Sequence, residues 1–305
     1  MSVRAQALEP RADRLTGGQS RRRLDLLPYL LFLPSMALIL LINLYPFLTG
    51  LYYSLKDGSL LKTGSFVGLA NYRDLLSLPD FRHALWFSAV FAICNVVGSY
   101  VLGLGLALLL NQDVPGRGFF RVALLLPWII PSIVSIISWR WMIADQNGLF
   151  NVALGWVGLG PIYFLGTGNW AIFSVIMIKV WRSFPFMMVS CLAALQSIDR
   201  DLYEAAEIDG AERWQSFRDI TLPQITGISV VMWILMTIWS VNDFETPWLL
   251  TQGGPSNATE NLIVLAYKYT FTRNEVGVGS AIAFVSLIVL MTLAILLLRR
   301  QREEA

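Results

Sequence analysis

Apolar and polar positions alternate along the chain in long blocks rather than with the short period of a soluble fold. Six stretches are long and mostly apolar, at residues 26–48, 84–110, 122–143, 171–195, 225–250 and 278–298. A helix needs about 20 apolar residues to cross a bilayer, and none of the six alternates with the period of two of a barrel strand. The pattern predicts an all-α integral membrane protein with six transmembrane helices.

The polar segments at the two ends of the chain set the boundaries of the predicted transmembrane domain. Residues 26–298 form the predicted transmembrane domain, and residues 299–305 form a short polar tail. Residues 1–25 are rich in Arg and in small or polar residues, so we predict a disordered tail. The first apolar run is longer than the core of a signal peptide, and no cleavage motif of small residues follows it, which favours a retained first helix.

Composition supports the membrane assignment and narrows the chemistry. The chain is 55% hydrophobic and 14% charged, against about 25% charged residues in a soluble domain. Its two cysteines lie inside apolar stretches, and its one histidine has no ligand-type neighbour at helical spacing. We therefore expect no disulfide, no metal site and no bound cofactor, and no nucleic acid as a partner. The absence of a Walker A motif predicts that the chain does not hydrolyse ATP.

The distribution of Lys and Arg predicts the orientation in the membrane. With six spans both termini lie on one side, and the segments on that side carry 14 Lys and Arg residues, against 7 on the other side. Cytoplasmic segments are the ones enriched in Lys and Arg. Both termini, and the segment between the fourth and fifth spans, are therefore predicted to be cytoplasmic.

That cytoplasmic segment, residues 197–224, is a polar island that contains the string EAAEIDGAERWQSFRDITLP. Good helix formers on both sides of Gly210 predict two short helices joined by a left-handed turn, and Pro223 is expected to end the second helix. Leu202, Ala205 and Ile208 fall, with Ala206, on one predicted face. Seven acidic residues against three Arg disfavour binding to anionic lipid, so docking into a protein groove is the better interpretation.

The island also resembles a known family motif, the EAA loop of importer-type ABC transporter permeases. The string matches EAA, three residues, Gly, nine residues, Ile, one residue and Leu-Pro at every fixed position. The resemblance implies that the loop is a coupling helix that docks on an ATP-hydrolysing subunit. The coupling residues are then Glu204, Ala205, Ala206, Asp209, Gly210, Ile220, Leu222 and Pro223.

Three other segments, FVGLANYRDLL, LLTQGGP and VGSAIAFVSLIV, are similar to the carbohydrate-uptake group of these permeases. This resemblance implies a sugar or related polyol as substrate and transport by alternating access. It also implies the partners: a second homologous permease, two ATP-binding subunits that hold ATP and Mg²⁺, an extracytoplasmic solute-binding protein, and the lipid bilayer.

Polar groups at membrane depth are the candidate substrate contacts, because they are costly unless they have a function. In the fourth span, Pro185 is expected to break the helix. In the fifth span, carboxylates and an amide interrupt an apolar helix. By resemblance, the residues that match pathway-facing or sugar-contacting positions, with the neighbouring amide, are Arg182, Ser183, Phe186, Trp239, Ser240, Asn242 and Asp243.

Other interpretations of the same residues stay open. Lys179 and Arg182 can instead extend to the outer membrane interface, and an Asp243–Arg182 ion pair can serve only to hold helices together. The prolines of the third span predict kinks and a gating or packing role without direct chemistry. The alternative function is an ion-coupled secondary transporter that uses Asp243 and Glu245, and a third possibility is a membrane scaffold.

Overall fold

The computed structural model describes residues 27–62 and 64–304, which divide into two compact units at Leu48 and Thr49. In the N-terminal unit, helix α1 continues through a π turn at Leu40–Leu44 into α2, and α1 buries none of its apolar side chains. The helices of the described residues are α1 Leu27–Ile39, α2 Tyr45–Ser54, α3 Ala70–Ser77, α4 Pro79–Leu110, α5 Arg117–Ile129, α6 Ser132–Met142, α7 Leu149–Trp156, α8 Gly168–Gln196, α9 Arg200–Ile208, α10 Arg213–Ser216, α11 Leu222–Val241, α12 Glu245–Thr251, α13 Leu262–Tyr267 and α14 Val276–Glu304.

The predicted all-α membrane architecture is confirmed. Five helical runs are long and apolar enough to cross a membrane: Leu27–Ser54, Pro79–Leu110, Gly168–Gln196, Arg213–Val241 and Val276–Leu296. The pair α5 and α6 provides a sixth span if it is counted as one. The described part of the chain contains no strand, only an isolated β-bridge between Lys56 and Phe66.

The third span is not the straight helix predicted over residues 122–143. It bends by 91° between α5 and α6. Ile130, which precedes Pro131, has an extended backbone with ψ of 131°, because the proline ring disfavours the helical conformation of the residue before it. The expected kink is therefore confirmed, and it is sharp enough to divide the span.

The core that positions the candidate site is formed by α4, α8 and α11. Gly103 of α4 lies against α8 so closely that an added Cβ would be 2.7 Å from the Cβ of Met187. Around this close approach Leu104, Met188 and Ile225 belong to one buried apolar cluster. Tight packing of this kind fixes the side-chain positions on the facing helices.

Helix α8 runs without interruption from Gly168 to Gln196, so the predicted break at Pro185 is wrong. Proline removes one backbone donor, but buried neighbours on both sides, including Phe184 and Met187, hold the helix together through packing. The interruption lies instead in the predicted fifth span, where residues 242–244 separate α11 from α12.

The other end of α11 also differs from the prediction. Helix α10, a π turn at Phe217–Thr221 and α11 form one continuous run from Arg213 to Val241, so Pro223 does not end a helix. Leu222 donates its backbone N–H to Phe217, five residues back, which carries the hydrogen-bond ladder past a proline that has no N–H to donate. One helix of 29 residues, about 44 Å long, therefore joins the predicted coupling loop to the predicted substrate residues.

Candidate functional site

The break between α11 and α12, residues 242–244, is organised by the carboxylate of Asp243. This group accepts hydrogen bonds from the backbone N–H of Thr246 at 3.0 Å and from its hydroxyl at 2.7 Å. The side chain thus satisfies one of the first backbone donors of α12, as residues at a helix start commonly do. Asp243 therefore lies outside the helix in which the sequence placed it, and it starts the next one.

A buried ion pair neutralises the same carboxylate. The Nζ atom of Lys179, on α8, lies 2.8 Å from Asp243, and the two side chains are only 12% and 6% exposed. The Asp243–Arg182 pair considered above does not form: Arg182 instead donates to the hydroxyl of Thr246 at 3.3 Å. A pair this well buried holds α8 against the helix break, and Lys179 does not extend to an interface.

Asn261, which sequence reasoning missed, ties the break to α13. Its amide donates to the backbone carbonyl of Asp243 at 2.6 Å, while its Oδ1 accepts from Val264 and caps α13. The next residue, Leu262, donates to Ser88 of α4 at 2.9 Å. An Asn directly before the apolar run LIVLAY is a helix-start signal that would have located this cap.

Two of the predicted site residues are buried against neighbouring helices. Ser240 is fully buried and accepts a hydrogen bond from Asn95 of α4 at 2.9 Å. Ser183 is 7% exposed. The Oδ1 atom of Asn95 has no hydrogen-bond partner among the described residues, although it is buried. Asn95 was not predicted, because a lone amide in an apolar helix carries no motif.

The exposed members of the predicted set form an aromatic row. Trp239, on α11, is 44% exposed, and its ring centroid lies 5.0 Å from that of Phe186 on α8. Phe186 lies in turn 6.1 Å from Trp128, at the end of α5. Asn242 is exposed beside Trp239 at the end of α11. Partly exposed aromatic rings offer apolar faces to a ligand, and the amide and Arg182 offer hydrogen bonds.

The position of Trp128 changes the role that was expected of the third span. That span was expected to contribute packing and gating only, yet Trp128 is 54% exposed and extends the row beside Phe186. Its position follows from the bend at Pro131, which turns the chain away directly after this tryptophan. The sequence showed the tryptophan and the proline but not their proximity to the fourth span.

At the opposite end of α11, residues 199–216 form a helical hairpin, which we call the loop hairpin. The carboxylate of Asp199 caps α9 by accepting from the N–H of Asp201. Helix α9 ends at Ile208, and Gly210, two residues later, has a φ of +80° in the left-handed region. The N–H of Ala211 then bonds to the carbonyl of Ala206 at 2.9 Å, as in a Schellman motif. The predicted arrangement of helix, glycine turn and helix is confirmed.

The loop hairpin exposes large apolar side chains. Helix α9 buries none of its residues, and Ile208 is 87% exposed, Trp214 67% and Leu202 42%. Glu204, Ala205, Asp209, Gly210 and Pro223 are exposed, while Ala206, Ile220 and Leu222 are half-buried. Large exposed apolar side chains on one short hairpin are typical of a surface that a partner covers.

The chain is similar to known proteins in sequence and in fold. The family model described as "Binding-protein-dependent transport system inner membrane component" matches residues 99–302. Among curated relatives, the trehalose/maltose transport system permease protein MalF of Thermococcus litoralis is 36% identical over 274 residues, 90% of this chain and 92% of that protein. The sulfoquinovosyl glycerol transport system permease protein SmoG of Agrobacterium fabrum is 33% identical over 281 residues, 92% of this chain and 91% of that protein.

The fold is similar to solved structures as well. A chain of a bacterial ABC transporter involved in the import of the acidic polysaccharide alginate superposes with a TM-score of 0.80, covering 92% of this chain and 96% of that chain at 24% identity. The same transporter in complex with an alginate pentasaccharide-bound periplasmic protein gives a TM-score of 0.78, with 92% and 95% covered and 24% identity. At this identity the similarity concerns the fold.

Proposed function

Since the chain belongs to the family of binding-protein-dependent transport system inner membrane components, we propose that it is the transmembrane permease subunit of an ATP-driven ABC importer for a sugar or related polyol. The observation that carries the proposal is the loop hairpin. It matches the EAA pattern at every fixed position and exposes Ile208 and Trp214 on a short helix pair. An amphipathic helix of this kind docks into a groove of a partner protein.

The carbohydrate part of the proposal has two supports. The relatives named above are permeases of trehalose/maltose and sulfoquinovosyl glycerol systems. The aromatic row of Trp128, Phe186 and Trp239 presents partly exposed rings. Arg182 lies four residues before Phe186 and Asn242 three residues after Trp239, so both can supply hydrogen bonds near the row. Sugars have apolar C–H faces and many hydroxyls, so a site that combines aromatic faces with a few polar groups suits them.

In the proposed mechanism the solute moves by alternating access through this subunit and a second homologous permease. Two ATP-binding subunits, which hold ATP and Mg²⁺, dock on the loop hairpins, and an extracytoplasmic binding protein delivers the sugar. The 29-residue helix from Arg213 to Val241 connects the docking surface directly to Trp239 and to the helix break. Closure of the ATP-binding subunits would therefore shift the substrate residues through one continuous element.

Ion-coupled transport is the alternative, and the charges of the site disfavour it. Both buried carboxylates among the described residues are already paired, Asp243 with Lys179 and Glu260 with Lys268, and Asp243 also accepts both hydrogen bonds from Thr246. Glu245 is exposed at the start of α12. The loop hairpin also has no role in a transporter that works without ATP-binding subunits.

Purification of the chain from its native membrane with a mild detergent tests the proposal. We expect ATP-binding subunits and a second permease to co-purify, and proteoliposomes of the complex to take up labelled trehalose, maltose or a glycoside from a panel only with ATP and the binding protein. Uptake that follows a Na⁺ or proton gradient, in a preparation without ATP-binding subunits, would establish the alternative.

A further inference from the structure

The loop hairpin is tied to the base of α11 by a hydrogen bond that the EAA pattern does not contain. The hydroxyl of Tyr203, on α9, lies 2.9 Å from the Oγ1 atom of Thr221, the last residue of the π turn. Thr221 is 4% exposed, so this bond is shielded from water at one end. In the described part of the chain it is the one side-chain hydrogen bond between α9 and the segment that follows Gly210.

Apart from this bond, little packing surrounds the connection from α9 to α10. The chain passes from α9 to α10 through Gly210, around which a Cβ would meet no atom within 4 Å. A cavity of about 300 Å³ also lies where α9 faces the π turn, lined by Tyr203, Glu207 and Phe217 and by the ends of α4 and α8 at Leu108 and Leu195. Packing between α9 and the π turn is therefore incomplete. The Tyr203–Thr221 bond connects α9 to the base of α11 across this gap, in addition to the chain that runs through α10.

Thr221 is a suitable anchor for such a link. It is the last residue before α11, its hydroxyl also lies 3.4 Å from the carbonyl of Ser216, and its neighbour Leu222 packs against the apolar cluster of α4 and α8. A force applied to α9 through Tyr203 therefore enters the helix that carries Trp239 at its other end. A π turn is a frequent location of functional adjustment in a helix, because its backbone ladder is already widened.

We propose that Tyr203 is a positioning residue which, through Thr221, transmits the displacement of the docked hairpin to α11. The inference rests on the proposed function and adds the route by which coupling reaches the substrate residues. Loss of the bond lets the hairpin pivot at Gly210, so ATP binding would still occur but would move α11 less. The predicted defect is uncoupling, with the subunits still assembled.

The test uses Tyr203→Phe, Thr221→Val and the double variant, each in the complete native complex with Cys94 and Cys191 replaced and Asn242→Cys as a reporter at the exposed end of α11. The rate of maleimide labelling at residue 242 is compared with and without a non-hydrolysable ATP analogue. ATP-binding subunits retained on the complex and basal ATP hydrolysis are measured in the same samples.

Tyr100→Phe is the matched control, because Tyr100 makes an equivalent bond to Ser229 of α11 at 2.8 Å but from α4 rather than from the loop hairpin. We expect each single variant to reduce the nucleotide-induced change in labelling by about five-fold or more, the lower end of usual coupling effects. The double variant should add nothing further, and subunit retention, hydrolysis and the control should be close to the parent.

Three results would overturn the inference. The first is an unchanged response in Tyr203→Phe or Thr221→Val. The second is loss of ATP-binding subunits from these variants, which would make Tyr203 a docking or folding residue. The third is an equal loss in Tyr100→Phe, which would indicate general loosening of α11. A parent complex that contains no ATP-binding subunit would instead contradict the proposed function itself.

Discussion

The two ends of the helix from Arg213 to Val241 differ in which side chains are buried and which are exposed. At the break after Val241, polar groups are buried, and Asp243, Lys179 and Thr246 satisfy one another. At the loop hairpin, apolar groups are exposed, and the described residues leave Ile208 87% exposed. Buried charges must be paired within the chain, whereas exposed apolar side chains gain stability only when a partner covers them. The break is therefore satisfied by this chain's own residues, whereas the exposure of the hairpin fits the docking role proposed for it.

The largest effect is expected from breaking the buried pair. Asp243→Leu leaves Lys179 buried without a counter-ion, which costs about 3–5 kcal/mol of unfolding free energy. Thermal unfolding of the purified complex measures this loss, and Lys179→Met in the same chain should recover most of it. The exposed pair Arg117–Asp113 provides the control, since Asp113→Asn should change little. A single variant as stable as the parent would mean that water already reaches Asp243.

A substitution at the loop hairpin should weaken binding of a partner without changing the stability of the chain. Ile208→Ser should leave thermal stability unchanged and weaken attachment of the ATP-binding subunits, because burial of an isoleucine side chain contributes about 1.5–3 kcal/mol. This corresponds to roughly a ten- to hundred-fold loss of affinity. Titration of purified ATP-binding subunits onto the permease measures it, with Leu61→Ser, at a side chain 95% exposed elsewhere, as control. If the ATP-binding subunits bound Ile208→Ser and the parent with equal affinity, the loop hairpin would not be the docking surface.

A smaller effect is expected at the aromatic row. Trp239→Ala removes one ring face from the proposed sugar site, and an aromatic contact of about 0.5–1.5 kcal/mol corresponds to a rise in transport KM of roughly two- to ten-fold. Assembly and basal ATP hydrolysis should persist. Trp156→Ala, at a tryptophan that is 81% exposed at the end of α7, is the control. A changed KM in the control alone would place the sugar elsewhere.

The most local effect, confined to α9, concerns the turn of the loop hairpin. Gly210→Ala places a Cβ at a φ of +80°, which costs about 1–2 kcal/mol and should lower hydrogen-exchange protection in α9 by roughly 5–30-fold. Gly227→Ala in α11, where a Cβ meets no atom within 4 Å, should be neutral or stabilising. Similar protection in both variants would show that the turn tolerates another conformation.

The sequence predicts those features that depend on local patterns. Long apolar runs, the glycine turn of the hairpin and the bend at Pro131 each follow from residues close together in the chain. The orientation in the membrane, with both termini cytoplasmic, stays a prediction, as do the roles assigned to the individual site residues.

Features that depend on tertiary partners were missed or wrong. Pro185 was expected to break α8, but its buried neighbours keep the helix intact, and Asp243 was placed within a helix that it in fact interrupts. The Lys179 pair, the Asn261 link and the position of Trp128 each join residues far apart in sequence. No local pattern specifies such contacts, because they arise only when the helices pack.

The most direct test of the account is the accessibility of the loop hairpin. In a variant with Cys94 and Cys191 replaced, Ile208→Cys should react with a membrane-impermeant maleimide only in inside-out vesicles, and only after the ATP-binding subunits have been stripped with urea. Re-addition of those subunits should restore protection. Labelling from the outer face, or labelling that is indifferent to the ATP-binding subunits, would contradict both the predicted orientation and the docking role of the hairpin.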